Sequence, residues 1–259
     1  MAKKLDNEEK EPEISMVQKL KERTEKVEKE KAEKKAKGEP EEKVEEKKPK
    51  KDLSLDLGIK VDKKELLVPL EEYVKAGIHL ATYVITPDMR QYVYRRRADG
   101  LAILNTNMIN DKLKTACEFL SKYPVEEIIL VCKREAGWKA AKLFSSITGI
   151  RVFTKKYSAG IITNPSLKDF FEPSLVVVCD PWLDKNAIHD ASLSGIPVIS
   201  LCDSNNLTRN IDAVIPCNNK IDKSIGIVLY ILAREYCKKN KIEFKAKISE
   251  FTGEIEEKK

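Results

Sequence analysis

The chain has 259 residues, of which 42% are hydrophobic and 35% charged, a length and mix that suit one sizeable domain with polar tails. Residues 1–52 carry 17 basic and 16 acidic residues and residues 241–259 carry five of each, so the formal charge of +6 rests almost wholly on the segment between them, an excess that suits a polyanionic partner without demanding one. The six cysteines form no C-x-x-C pair and the only histidines are His79 and His189, which argues for reduced core thiols rather than a zinc site, while the absence of an apolar run near 18 residues or of a leader-like N-terminus makes a membrane or secreted protein unexpected.

Residues 1–65 read as a charged, largely disordered extension, because they hold too little apolar surface to offset the entropy of ordering. Within it Glu22/Lys26, Glu25/Lys29, Glu30/Lys34 and Glu33/Lys37 are i,i+4 pairs in the favourable order. With Ile14, Val17, Leu20 and Val27 as a thin stripe, they allow a helix over 14–37 that forms only on a partner. The domain is expected over 66–240. Pro69 opens a helix carrying Leu70, Tyr73 and Val74, which Gly77 closes in the left-handed region. The pattern then alternates. Strands are predicted at 101–104, 128–132, 150–153, 175–179, 197–202 and 213–216, and helices at 107–120, 137–148, 186–194 and 224–239. Residues 241–259 read as a charged C-terminal tail.

These strands are continuous apolar runs, so both of their faces must be covered. The expected fold class is therefore α/β: a doubly wound parallel sheet with helices on both faces, in a single domain with charged flexible tails. Such a sheet takes ligands beyond the carboxyl ends of its strands. Asp180 and Asp203 stand there, with Asp184 nearby, and they define the enzyme alternative, a cytosolic hydrolase or sugar-phosphate enzyme. Carboxylates at strand ends also cap turns and helices. No two glycines after residue 57 are closely spaced, so neither phosphate-cradling loop pattern can be written, and no G-x-S-x-G elbow exists. His189, lone on a short helix, reads as a surface or packing residue. Catalytic, metal and cofactor residues are accordingly none.

Basic clusters are more suggestive. Arg90 precedes Arg95, Arg96 and Arg97, with Tyr92 and Tyr94 interleaved. Lys133 and Arg134 follow a strand, with Trp138 and Lys139 just after. Lys155, Lys156 and Tyr157 follow the next strand. Guanidinium forks beside aromatic rings suit phosphate and base contact in RNA, and all three clusters fall in predicted loops or element ends. They are the RNA-contact candidates. A third reading, a protein-interaction module working through its charged tails, remains open on composition.

The run Glu172-Pro-Ser-Leu-Val-Val-Val-Cys-Asp-Pro181, then Ala187-x-x-Asp-Ala191, Gly195-Ile-Pro-Val-Ile199, Leu201-Cys-Asp203, Ile215-Pro-Cys-Asn-Asn-Lys220 and Ser224-Ile225 closely resembles the S-two family of small-subunit ribosomal proteins. Upstream, Ala76-Gly-Ile-His-Leu80, Tyr94-x-Arg96 with Asp99-Gly100, and Thr163-Asn-Pro165 match in order. The resemblance covers roughly residues 66–239 and is to the archaeal and eukaryotic branch, which includes the eukaryotic ribosomal protein SA. The bacterial coiled-coil insertion is missing. Two departures stand out: Lys156-Tyr-Ser-Ala-Gly-Ile161 replaces the usual Arg-aromatic-x-Pro-Gly-Thr, and Asp190 replaces the usual Glu. The resemblance implies a non-catalytic domain on the solvent side of the small subunit, at the junction of head and body. Its implied partners are small-subunit rRNA and neighbouring ribosomal proteins, with no membrane and no DNA. It implies a cytoplasmic role on the ribosome, in assembly and translation.

Overall fold

A computed structural model of the protein describes residues 66–253; the extension over 1–65 and the helix expected at 14–37 lie outside those residues. The order of elements is α1 (Leu70–Lys75), β1 (Val93–Arg96), β2 (Ala102–Leu104), α2 (Thr106–Leu120), β3 (Ile128–Cys132), α3 (Trp138–Thr148), β4 (Arg151–Thr154), β5 (Leu175–Val178), α4 (Lys185–Ser194), β6 (Val198–Cys202), β7 (Ala213–Pro216), α5 (Asp222–Lys239) and α6 (Ile248–Thr252). Strands β4-β3-β5-β6-β7 form a five-stranded sheet in that order, parallel at every pairing.

The three inner strands are buried along their whole length, which is what their unbroken Val/Ile/Leu runs demand. Chain direction explains the two helix layers. From β3 the chain steps outward to β4, and from β5 it steps the other way to β6. Crossovers of one hand must then place their helices on opposite faces. Phe144 of α3, together with side chains of α1, α2 and α5, fills one core. Ala187, Ile188 and Ala191 of α4, with Tyr157, Ile161 and Ile162, fill the other.

Local signals behave as their chemistry predicts. Asn105 caps α2 by accepting a hydrogen bond from the Asn107 N–H at 3.1 Å. Gly149 and Gly195 close α3 and α4 at φ 76° and 68°. All six cysteines are buried free thiols, and burial pushes those of Cys117 and Cys202 up to about 12.

Two expectations need correction. The strand at 101–104 does not join the parallel sheet. It shortens to β2 and pairs antiparallel with β1 in a separate ribbon, because only five residues, 97–101, separate them, too few for a parallel crossover. The charged tail expected from residue 241 is also ordered as far as Gly253. Phe244 and Phe251 close edge-on upon Tyr230 at 5.4 and 5.7 Å, and Phe251 is buried. The charges had masked four spaced large apolar residues, Ile242, Phe244, Ile248 and Phe251, and a glycine that admits the crossing: a Cβ on Gly226 of α5 would meet the Phe251 carbonyl oxygen at 2.3 Å.

Gly226→Ala is therefore expected to lower the unfolding free energy by about 1–3 kcal/mol, the usual cost of overpacking. Urea denaturation measures it. An unchanged midpoint would mean that the α5–α6 crossing yields freely.

Candidate functional site

The switch point of the sheet lies between β3 and β5, where successive connections diverge and a crevice normally opens at the carboxyl ends. Here polar side chains stitch that crevice together. Asp180, two residues past the end of central β5, is buried, and a buried carboxylate must be paired to survive. The Arg134 guanidinium, arriving from the end of β3, donates to Asp180 Oδ2 through Nε at 3.1 Å and through Nη2. Asp180 Oδ1 accepts from the Trp182 N–H at 3.0 Å and from Asn206 Nδ2 at 3.3 Å. Asn206 Oδ1 accepts in turn from the Asp203 N–H at 2.7 Å and from Asn219 Nδ2 at 3.0 Å. Asp203 accepts from the Ser204 N–H and meets Lys220 Nζ at 3.3 Å; its burial raises its pKa, and those two donors oppose the rise. The ends of β3, β5, β6 and β7 are thus tied by one network, which leaves a cleft of only about 120 Å3.

The strand-end aspartates are thus engaged within the fold. Both spend their oxygens on backbone amides, amides of neighbouring side chains and cations of the fold, so the enzyme alternative finds no support in them. Asp184 likewise accepts from the Lys133 N–H at 3.2 Å. Desolvation pushes its pKa up to about 7, with the Asp180 charge adding to the rise.

The network also docks the segment that precedes the ribbon. Ser204 Oγ donates to the Val84 carbonyl at 2.8 Å and accepts from the Thr82 N–H at 3.1 Å. Thr86 Oγ1 donates to the Asn206 carbonyl at 2.7 Å. Asp88 Oδ2 accepts from both the N–H and the hydroxyl of Thr208 at 3.1 Å.

The basic candidates fall into two places. Arg95 and Arg96 lie in β1, and with Arg90 and Arg97 they are exposed; Arg97 pairs with Asp99 at 3.3 Å. This segment is therefore a strand of the ribbon rather than a loop, and Tyr92 within it is a core residue while Tyr94 stands out. Lys133, Lys139, Lys155 and Lys156 are exposed around the ends of neighbouring β3 and β4. There Lys155 Nζ sits 5.7 Å from the centre of the half-buried Trp138 ring, whose Nε1 donates to the Lys133 carbonyl at 3.2 Å.

Two candidates are withdrawn by this geometry. Arg134 is held inward by Asp180. Tyr157 is buried, and its hydroxyl donates to Asp190 Oδ2 at 3.0 Å, an oxygen that also accepts from the Gly160 N–H at 2.7 Å. The ring is an anchor for the altered 156–161 loop, with no face left for a base. The sequence reading missed Trp182, 68% exposed, which with Lys185 and Leu207 lines an open cleft of about 390 Å3. A tryptophan in a polar strand-end turn was the available signal.

Residues 166–238 match the family model for ribosomal protein S2. The small ribosomal subunit protein uS2 of Nanoarchaeum equitans is 42% identical over 196 residues, spanning 74% of this chain and 98% of that protein. The chain belongs to the ribosomal protein S2 family. Other S2-family relatives are the uS2 proteins of Methanoregula boonei, 40% identical over 177 residues (68% of this chain, 87% of that protein), and Staphylothermus marinus, 43% identical over 171 residues (66% and 78%). Within this S2 chain the matched residues 166–238 contain Asp180, Asp203, Asn206 and Asn219, most of the network that locks the strand ends.

Arg134→Met leaves a buried carboxylate without its cation and is expected to cost about 2–4 kcal/mol in urea denaturation; a change within about 0.5 kcal/mol, typical of surface sites, would remove the pair from its structural role. The Asp184 proton gives a second test. Its folded pKa lies above the ordinary 3.8, so the unfolded chain ionises first and this group makes stability fall as pH rises from about 4 to about 7. Asp184→Asn, which keeps an acceptor for Lys133, should flatten that part of the stability profile; a slope equal to the parent's would contradict the assignment.

Proposed function

We propose that this protein is a structural, non-catalytic constituent of the small ribosomal subunit that binds rRNA and neighbouring ribosomal proteins and supports subunit assembly and translation in the cytoplasm. The observation that carries the reading is the 42% identity to a uS2 protein across 98% of that protein's length. The chemistry is consistent with it. Asp180 and Asp203, at the position where α/β enzymes hold their ligands, are occupied by contacts of the fold. No helix among the described residues is long and apolar enough to cross a membrane.

The rRNA contacts belong to the exposed cations. Arg90, Arg95, Arg96 and Arg97 form one patch on the ribbon segment. Lys133, Lys139, Lys155 and Lys156 form a second at the ends of β3 and β4, with Trp138 bracing Lys155 rather than stacking a base. Such contacts act on phosphates through released counterions, so affinity falls steeply with salt.

Tagged protein from a lysate is expected to sediment with small subunits through a sucrose gradient, and to stay there after a high-salt wash. Protein at the top of the gradient under both conditions would overturn the ribosomal reading. Simultaneous Ala substitution of Arg95, Arg96 and Arg97 should release protein from subunits at lower salt than the parent; equal retention would clear that cluster of a role.

A further inference from the structure

The alternation of a strand would place Val93 and Arg95 on one face and Arg96 on the other. The ribbon does not follow it. Val93 pairs with Leu104, Arg95 with Ile103 and Arg96 with Ala102, with a register irregularity between Val93 and Arg95. Leu104 and Ala102 are two residues apart on β2 and face the same way. Their partners Val93 and Arg96 therefore share a face although three residues separate them, and Arg95 is turned to the other. An inserted residue re-aims a side chain in this way.

Re-aimed, Arg96 lines the same cleft as Arg90. The two arginines line one open cleft of about 400 Å3, together with Ile85 and Val93. Each is mounted on a braced backbone. The Arg90 N–H donates to the Thr86 carbonyl at 3.1 Å, and the turn carrying it is flanked by buried Met89 and Tyr92. Neither arginine has an acidic partner among the described residues. The carboxylates of this segment are engaged elsewhere, Asp88 by Thr208 and Asp99 by Arg97. Two guanidiniums that line one cleft, without a counter-anion among the described residues, supply the forked donors that hold phosphate oxygens.

We propose that Arg90 and Arg96 form a two-arginine clasp for a single RNA phosphodiester. The inference rests on the rRNA-binding reading and gives it a specific point of contact. The clasp differs from Arg95 and Arg97, which offer separate charges, in that its two members share one anion. Removing either should forfeit most of what removing both does.

The test uses the full chain and purified small-subunit rRNA, with affinity measured across a salt series for the parent, Arg90→Ala, Arg96→Ala and the double variant. One neutralised phosphate contributes about 0.7–0.9 to the slope of log affinity against log salt. Each single variant and the double should lower the slope by about that amount once, with affinity losses near tenfold that do not add. Arg96→Lys, which keeps the charge without the fork, should recover the slope but not the affinity. Both side chains are exposed, so unfolding midpoints should stay with the parent. A double variant with twice the slope change of the singles assigns two separate phosphates and overturns the shared clasp. Unchanged slopes with parental rRNA binding overturn it while leaving the ribosomal reading intact. Saturable binding of inorganic phosphate, lost in the double variant while the rRNA slope stays unchanged, would assign the cleft to a free anion. If the parent neither binds rRNA nor sediments with small subunits, the ribosomal reading fails and the clasp falls with it.

Discussion

A single buried carboxylate organises the carboxyl end of the parallel sheet. Asp180 follows the central strand in a place where water is scarce, and an ionised group cannot remain there without cations and donors of its own. Arg134 must reach it from β3, and Asn206 from the loop after β6. Once Asn206 is committed, Asp203 and Asn219 are fixed through it. Three strand ends become one rigid rim with a fourth attached by Asn219.

That rim has two consequences. It fills much of the crevice that a doubly wound sheet otherwise offers at its strand ends, leaving about 120 Å3 beside Arg134 and Asp180. It also presents Ser204, the Asn206 carbonyl and Thr208 to the segment over 82–88. The antiparallel ribbon is thereby mounted on the sheet's carboxyl end. Its cations therefore stand on a held backbone.

Charge and burial divide the aromatic residues in a way that spacing cannot show. Tyr92, Tyr94, Trp138 and Tyr157 all neighbour basic residues in the sequence. Tyr92 and Tyr157 are buried, the second because Asp190 gives its hydroxyl a partner inside. Trp138 serves as a bed for Lys155. Trp182, which no basic run marks, is the most exposed large ring. Proximity along the chain reported composition; only the surrounding elements decided which face of each ring was covered.

The sequence by itself determined the elements and their layering. Unbroken apolar runs at 128–132, 175–179 and 197–202 cannot be half-solvated, and glycines at 149 and 195 end helices because they accept positive φ at no steric cost. Ordered motifs from Glu172 to Ile225 determined the family. What only the tertiary structure decided were long-range matters: that residues 101–104 pair backward with β1, that the chain beyond 240 folds onto Gly226, that Arg134 turns inward, and that a register irregularity sends Arg96 towards Arg90. The physical reason is common to all four. Burial and periodicity are properties of a segment and can be read from it, whereas pairing partners, close backbone crossings and counter-ions are supplied by residues far away in the chain, and their positions exist only once the sheet has been assembled.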